Sequence, residues 1–304
     1  MKKLLVSFIF IIIALFAVDR VGGRMMWWVN QHTHDVSGPK IKYLVDSVNE
    51  DVVFMGASRC NMHYVPSIIS DTLNMSVYNG GINSSENILS HYIMLCHILA
   101  HHTPKVICLE IMRNDFMKED MPFTKISFFA PYVGINDRVD SVYKEAGEYK
   151  YYMLSHLYRY NAKAISNLAG LKVDKHENGD RGYISYPQPN YVLDKLEKEH
   201  TPKEIDEVKI KYIHKFINLC KEKGVRLVFV TAPKYTIPDR DLYDVIKDIA
   251  SASGIPYMDY HTKGLYRDHP ELYKDSRHLW DKGARMYSSI FASDLKYVLK
   301  ENVF

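Results

Sequence analysis

"DVVFMGASRCNMH", residues 51–63, is the stretch that decides how the chain is read. Val52, Val53, Phe54 and Met55 form the unbroken apolar run expected of a strand buried on both faces. The run then breaks into Gly56-Ala57-Ser58-Arg59. Small residues at the end of a buried strand allow a tight turn that lifts a single side chain clear of the sheet. Two roles are open for Ser58: a nucleophile, or merely the first polar residue of a loop.

Outward from this stretch, strand and helix signals alternate. "MSVYN" (75–79), "KVICLEI" (105–111), "VRLVFVT" (225–231) and "PYMDY" (256–260) read as further strands. Between and after them, 86–102, 203–224, about 239–252 and 281–300 carry apolar residues at helical spacing, with Asp281 placed as an N-cap. Repeated β-α-β-α order predicts an α/β fold in three layers: a central, mostly parallel sheet with helices on both faces. The interval from about 116 to 200 does not fit the alternation. It holds tyrosine bursts, "EYKYYMLSHLYRY" and "GYISYPQPNYVL", and a polar turn, "DKHENGDRG". It reads as a Tyr-rich insertion, either a sugar-stacking cap or simply an amphipathic packing layer.

The N-terminus begins Met1-Lys2-Lys3 and continues with 15 uncharged residues, Leu4–Val18, closed by Asp19-Arg20. A basic start before an apolar stretch reads as an export signal or a retained membrane anchor over 1–20, with the lysines inside and the rest of the chain outside. A cut after Ala17 would place Leu15 at the outer specificity position. Residues 21–48, including "QHTHDVSGPK", read as a stalk, and 49–304 as the folded domain. A formal charge of +3 gives no argument for nucleic acid. Cys60, Cys96, Cys108 and Cys220 lack metal-ligand spacing and read as buried thiols. His97 and His101 stand four apart on a helix, as zinc ligands can, but no third ligand accompanies them, and they read as helix-surface residues. Neither metal nor cofactor is expected.

In an open parallel sheet, reactive groups collect at the carboxyl ends of the strands. "GASR", "NGGINSS" and "MRNDF" leave the first three strands there, and "DSRH" (275–278) follows the last. A serine hydroxyl needs an imidazole to take its proton. In Asp275-Ser-Arg-His278 the carboxylate is spaced to hold one ring nitrogen while the other faces outward.

These four blocks together resemble the SGNH (GDSL-type) hydrolase superfamily, over about 50–115 and 203–300. The resemblance implies a flavodoxin-like fold, Ser58 as nucleophile, and Asp275 and His278 as its partners. It also implies an oxyanion hole from the N–H groups of Ser58 and Ser84 and the side chain of Asn114. Gly81 and Arg59 become candidate substrate-binding residues, Arg59 for an acidic sugar or phosphate; a salt bridge across the sheet edge is its other reading. The chain departs from the family in three places. Gly-Ala-Ser-Arg replaces Gly-Asp-Ser, Ser84 stands where the family has a glycine, and Met112 replaces another. The G-x-S-R form is similar to membrane-anchored proteins tied to O-acetylation of exported polysaccharides. That branch implies an acylated carbohydrate or other acyl ester as substrate, with a membrane acyl-donor protein as a candidate partner. The altered blocks leave a rival: a non-catalytic glycan-binding or assembly protein that keeps the fold. A flavodoxin-like nucleotide binder is disfavoured, since no glycine-rich phosphate loop opens a helix.

Overall fold

The computed structural model describes residues 1–35, 37–85, 87–119, 123–173, 179–199 and 204–301. In chain order its regular elements begin with α1 (Lys2–His32), α2 (Gly38–Asp46), β1 (Val52–Met55), α3 (Ser58–His63), α4 (Pro66–Leu73) and β2 (Val77–Asn79). Then come α5 (Ile88–Ile98), β3 (Val106–Glu110), α6 (Asp137–Glu145), α7 (Tyr149–Leu154), α8 (Ala164–Gly170) and β4 (Glu197–Lys198). The chain closes with α9 (Glu207–Glu222), β5 (Arg226–Thr231), β6 (Thr236–Ile237), α10 (Arg240–Ser253), β7 (Tyr257–Asp259) and α11 (Asp281–Glu301).

Five strands form one parallel sheet in the order β2-β1-β3-β5-β7, while β4 and β6 make a separate short pair. Counting only its own members, the large sheet is ordered 2-1-3-4-5, the flavodoxin-like doubly wound arrangement. Its strand order reverses between β1 and β3, and that is where such sheets open a crevice at their carboxyl ends. Every residue of β1 and β3 is buried, which explains why they read as continuous apolar runs. Val52, Phe54, Val106, Cys108, Val228 and Val230 share one core cluster with Tyr64, Ile69, Tyr287 and Phe291 of the α3–α4 and α11 layer. The alternate residues Val53, Ile107 and Phe229 point to the other face and are equally buried, so both faces are covered. Phe291 is fully buried, and truncating it to alanine would cost about 3–5 kcal/mol.

Helix ends follow side-chain chemistry. Asn87 caps α5 by accepting from Leu89 N–H at 2.9 Å, and Asp206 caps α9 by accepting from Val208 N–H at 2.8 Å. Gly254 closes α10 at φ 68°, a left-handed position that glycine adopts without strain. Asp281 is the first residue of α11, not its cap.

The chain forms two compact units: Met1–Lys42 with Ile126–His176, and Tyr43–Lys125 with Glu177–Phe304. The sheet lies wholly in the second unit. The Tyr-rich interval is therefore divided, its first burst in one unit and its second in the other. In the first unit, α1 runs unbroken past Asp19-Arg20 to His32, so 21–32 is helix and not an irregular stalk. Asp19 accepts from Ser155 Oγ at 2.5 Å and His156 N–H at 2.9 Å, and Asn167 donates to Asn30 at 3.0 Å. These contacts continue a helix whose charges suggest an end in sequence. α1 is long and apolar enough to cross a membrane, and its apolar 18-residue window is 0% buried.

Candidate active site

Gly56 ends β1 with φ 153°, and a Cβ there would come within 2.8 Å of both the Cys60 and Glu110 side chains. Only glycine lets the chain turn this closely over β3, and the turn makes Ser58 the first residue of α3. A first helical residue has no intrahelical acceptor for its N–H, so hydroxyl and backbone donor leave from the same point.

The loop after β7 brings the other partners. His278 Nε2 lies 2.8 Å from Ser58 Oγ, and His278 Nδ1 is 3.0 Å from each Asp275 carboxylate oxygen. The imidazole and hydroxyl belong to residues 220 positions apart. Asp275 also accepts the backbone N–H groups of Arg277 at 2.8 Å and His278 at 3.0 Å, so one carboxylate shapes the turn and orients the ring. Burial pushes the Asp275 carboxyl up, but the hydrogen bond and charge of His278 and those two N–H groups outweigh it. The net direction is below the usual carboxylate value. A hydroxyl, an imidazole and a carboxylate thus stand in one hydrogen-bonded line at the sheet's carboxyl edge, beside the β1/β3 reversal.

The second block packs as well as it borders. Asn79 is fully buried; its amide donates to Cys60 O at 2.7 Å and Tyr64 O at 2.8 Å, holding α3 in place. A Cβ on Gly81 would fall 2.2 Å from Asn61 N, so Gly81 is buried against α3. Its lack of a side chain serves close packing. Ser84 is exposed with φ 63°, a left-handed conformation in the region a glycine would favour. In the third block, Asp115 accepts Met112 N–H at 2.7 Å and closes the short turn that carries Asn114. Asn114 is half-buried, and its carbonyl accepts from Lys209 Nζ at 2.7 Å.

Arg59 turns inward. Its Nη2 is 3.0 Å from Glu110 Oε1, with side-chain exposures of 3% and 0%. Glu110, at the end of β3, also accepts from Tyr64 OH and from Ala232 N–H at 3.1 Å. The salt-bridge reading of Arg59 therefore describes the structure, and a surface contact with substrate does not. His97 needs a second correction: it is 3% exposed inside α5, and burial, aided by His101, lowers it to about 4. All four cysteines are buried. Among the described residues no group of three or more His, Cys, Asp or Glu is placed to hold a metal ion.

Two residues near the site were not singled out from sequence. His63, fully buried at the end of α3, accepts Leu279 N–H at its Nε2 at 3.0 Å. Burial, with the nearby His278 and Arg59, lowers His63 well below the usual histidine value, so it stays neutral and can accept. Tyr186, from the second tyrosine burst, sets its ring edge-on to His278 at 5.9 Å between centroids. Lys274 Nζ lies 3.2 Å above the Tyr186 ring centre, and Tyr191 OH donates to Lys274 O at 2.5 Å.

No family model matches the chain, and no curated protein matches it. Solved structures do. One is a protein described as lipolytic, of the G-D-S-L family, from Desulfitobacterium hafniense DCB-2. It is 9% identical, with 80% of this chain and 98% of that one covered, at a TM-score of 0.41. Another, described as an acylhydrolase, is from Bacteroides fragilis NCTC 9343. It is 13% identical, with 85% and 95% covered, at a TM-score of 0.40.

Proposed function

We propose that the chain is an SGNH-type serine esterase or O-acyltransferase acting on acyl esters, acetyl foremost, of a cell-envelope or extracellular glycan. The single observation that carries this reading is the line from Ser58 Oγ through His278 to Asp275, at 2.8 and 3.0 Å. His278 Nε2 takes the Ser58 proton as Oγ attacks the ester carbonyl. Asp275 accepts from Nδ1–H and stabilises the imidazolium. The tetrahedral oxyanion is held by the N–H groups of Ser58 and Ser84 and the amide of Asn114. Collapse expels the alcohol with the proton from His278 and leaves an acyl-serine. Water then gives an esterase, and a sugar hydroxyl gives a transferase.

Tyr186 beside His278 supports a carbohydrate, since an aromatic ring at the site suits a sugar ring. In this reading α1 anchors the chain, with Lys2 and Lys3 inside and the catalytic unit outside the cytoplasmic membrane. A membrane acyl-donor protein is the candidate partner for the transferase direction. A fluorophosphonate probe tests the reading: labelling at Ser58, lost in Ser58→Ala, is expected. A folded wild type that takes up no label supports the non-catalytic glycan-binding alternative.

A further inference from the structure

The uncharged run of α1 is 15 residues, Leu4–Val18. At 1.5 Å per residue it spans about 22 Å, roughly 8 Å short of a typical hydrocarbon core of about 30 Å. The shortfall is about five residues of helix, and the next five, Asp19 to Gly23, include two charges. At that level the segment Leu154–Leu157 of the same compact unit is packed onto α1. Asp19 is covered by Ser155 Oγ at 2.5 Å, His156 N–H at 2.9 Å and Leu157 N–H at 3.2 Å. Arg20 pairs with Asp19 at 2.7 Å, donates to Leu154 O at 3.1 Å, and lies 4.2 Å over the Phe16 ring. The pair Gly22-Gly23 makes the notch: a Cβ on Gly23 would fall 2.3 Å from His156 Cβ, and one on Gly22 3.0 Å from Leu157 Cδ2. Glycines permit the same close approach between helices inside membranes.

Leu154 turns outward, 71% exposed, while Leu157 lies over the Gly22 notch and is still 38% exposed, and exposed Tyr151, Met153 and Tyr158 flank the pair. Exposed leucines beside tyrosines are costly in water and suited to the boundary between acyl chains and headgroups. We propose that Leu154 and Leu157 form a lipid-inserted collar that completes the short anchor. The occupant of this apolar face is the outer leaflet of the bilayer that α1 crosses. Its height is fixed by direct contact with the helix, one turn beyond the apolar run. The three donors on Asp19, with Arg20, let that carboxylate sit at the same depth without a bare charge facing lipid.

This inference rests on the anchor reading of α1, and the test separates the two. The full-length chain is reconstituted in phosphatidylcholine vesicles with a nitroxide at one introduced cysteine: Ile12→Cys, Leu154→Cys, Leu157→Cys or His32→Cys. The native cysteines are all buried and leave the introduced thiol as the reactive one. Collision with oxygen is compared with collision with a water-soluble nickel chelate. Labels at 154 and 157 are expected to favour oxygen several-fold, as at 12, and the label at 32, higher on the same helix, to favour nickel. Labels at 154 and 157 that match 32 while 12 remains in lipid would overturn the collar alone. A label at 12 that meets nickel freely would overturn the anchor and the collar with it.

Discussion

His63 accepts the backbone N–H of Leu279 at 3.0 Å, tying the residue after His278 to the helix that begins with Ser58. Ser288 of α11 reinforces the joint, donating to His63 O at 3.1 Å and accepting from Val65 N–H at 2.9 Å. Ser58 Oγ and His278 Nε2 are thereby held in register by a histidine that burial keeps neutral. His63→Ala should leave the Leu279 N–H unpaired in a buried position, at about 1–3 kcal/mol. It should also lower kcat while KM stays near the wild-type value. Equilibrium unfolding and steady-state kinetics with a nitrophenyl ester check both, and a fall in affinity alone would contradict a positioning role.

The Arg59–Glu110 pair predicts a different signature. Removing one partner of a buried ion pair leaves an uncompensated charge and costs about 3–5 kcal/mol. Arg59→Met should therefore lower the urea midpoint strongly. Arg59→Met combined with Glu110→Met should lose less than the two single changes added together. A selective rise in KM with unchanged stability would mean that Arg59 meets substrate after all.

The proposed oxyanion donors are tested by three substitutions, two expected to slow the reaction and one to leave it unchanged. Asn114→Ala should slow ester cleavage about 10²–10³-fold without shifting Tm. Ser84→Gly should retain activity and change stability by less than about 1 kcal/mol, because the residue already sits at φ 63°. Ser84→Val puts a β-branched side chain in that conformation. It should cost about 1–2 kcal/mol and lower the rate by displacing the loop N–H.

Much of this was legible in the sequence. The inner strands β1, β3 and β5 announce themselves because parallel strands covered on both faces are apolar along most of their length, whereas the edge strands β2 and β7 are short and end in Asn79 and Asp259. The polar blocks follow their carboxyl ends because that is where the chain leaves the core. What stayed hidden depends on partners far away in sequence. His63 acquires its meaning from Leu279, 216 positions on. Arg59 looks like a surface cation until Glu110, at the end of another strand, turns it inward. The charges Asp19-Arg20 read as the end of a helix because their compensation comes from Leu154 to Leu157. Residues 58–73 form two short helices whose polar opening, Ser58-Arg59, masks the helical pattern.

Acid should weaken the fold through its buried histidines. Burial is the first cause lowering His63, His97 and His261, so all three are neutral in the folded chain near neutrality. For a base lowered in the fold, the stabilisation is complete above the unfolded value of about 6.5. It is lost as the pH falls below that value, because the unfolded chain binds the protons. Each such histidine contributes a slope of up to about 1.4 kcal/mol per pH unit. Urea midpoints should therefore fall steeply between about pH 6.5 and 4.5, and His97→Gln should flatten the slope by about a third. A midpoint independent of pH across this window would mean that these rings do not lose their charge on folding.

The most direct test of the central claim is the hydrolysis of nitrophenyl acetate by the purified wild type beside Ser58→Ala and His278→Ala, each shown to be folded by circular dichroism. Catalysed release of nitrophenol by the wild type, lost in both variants, is the predicted result. Variants that release it as fast as the wild type would contradict the assignment of Ser58 and His278 to catalysis.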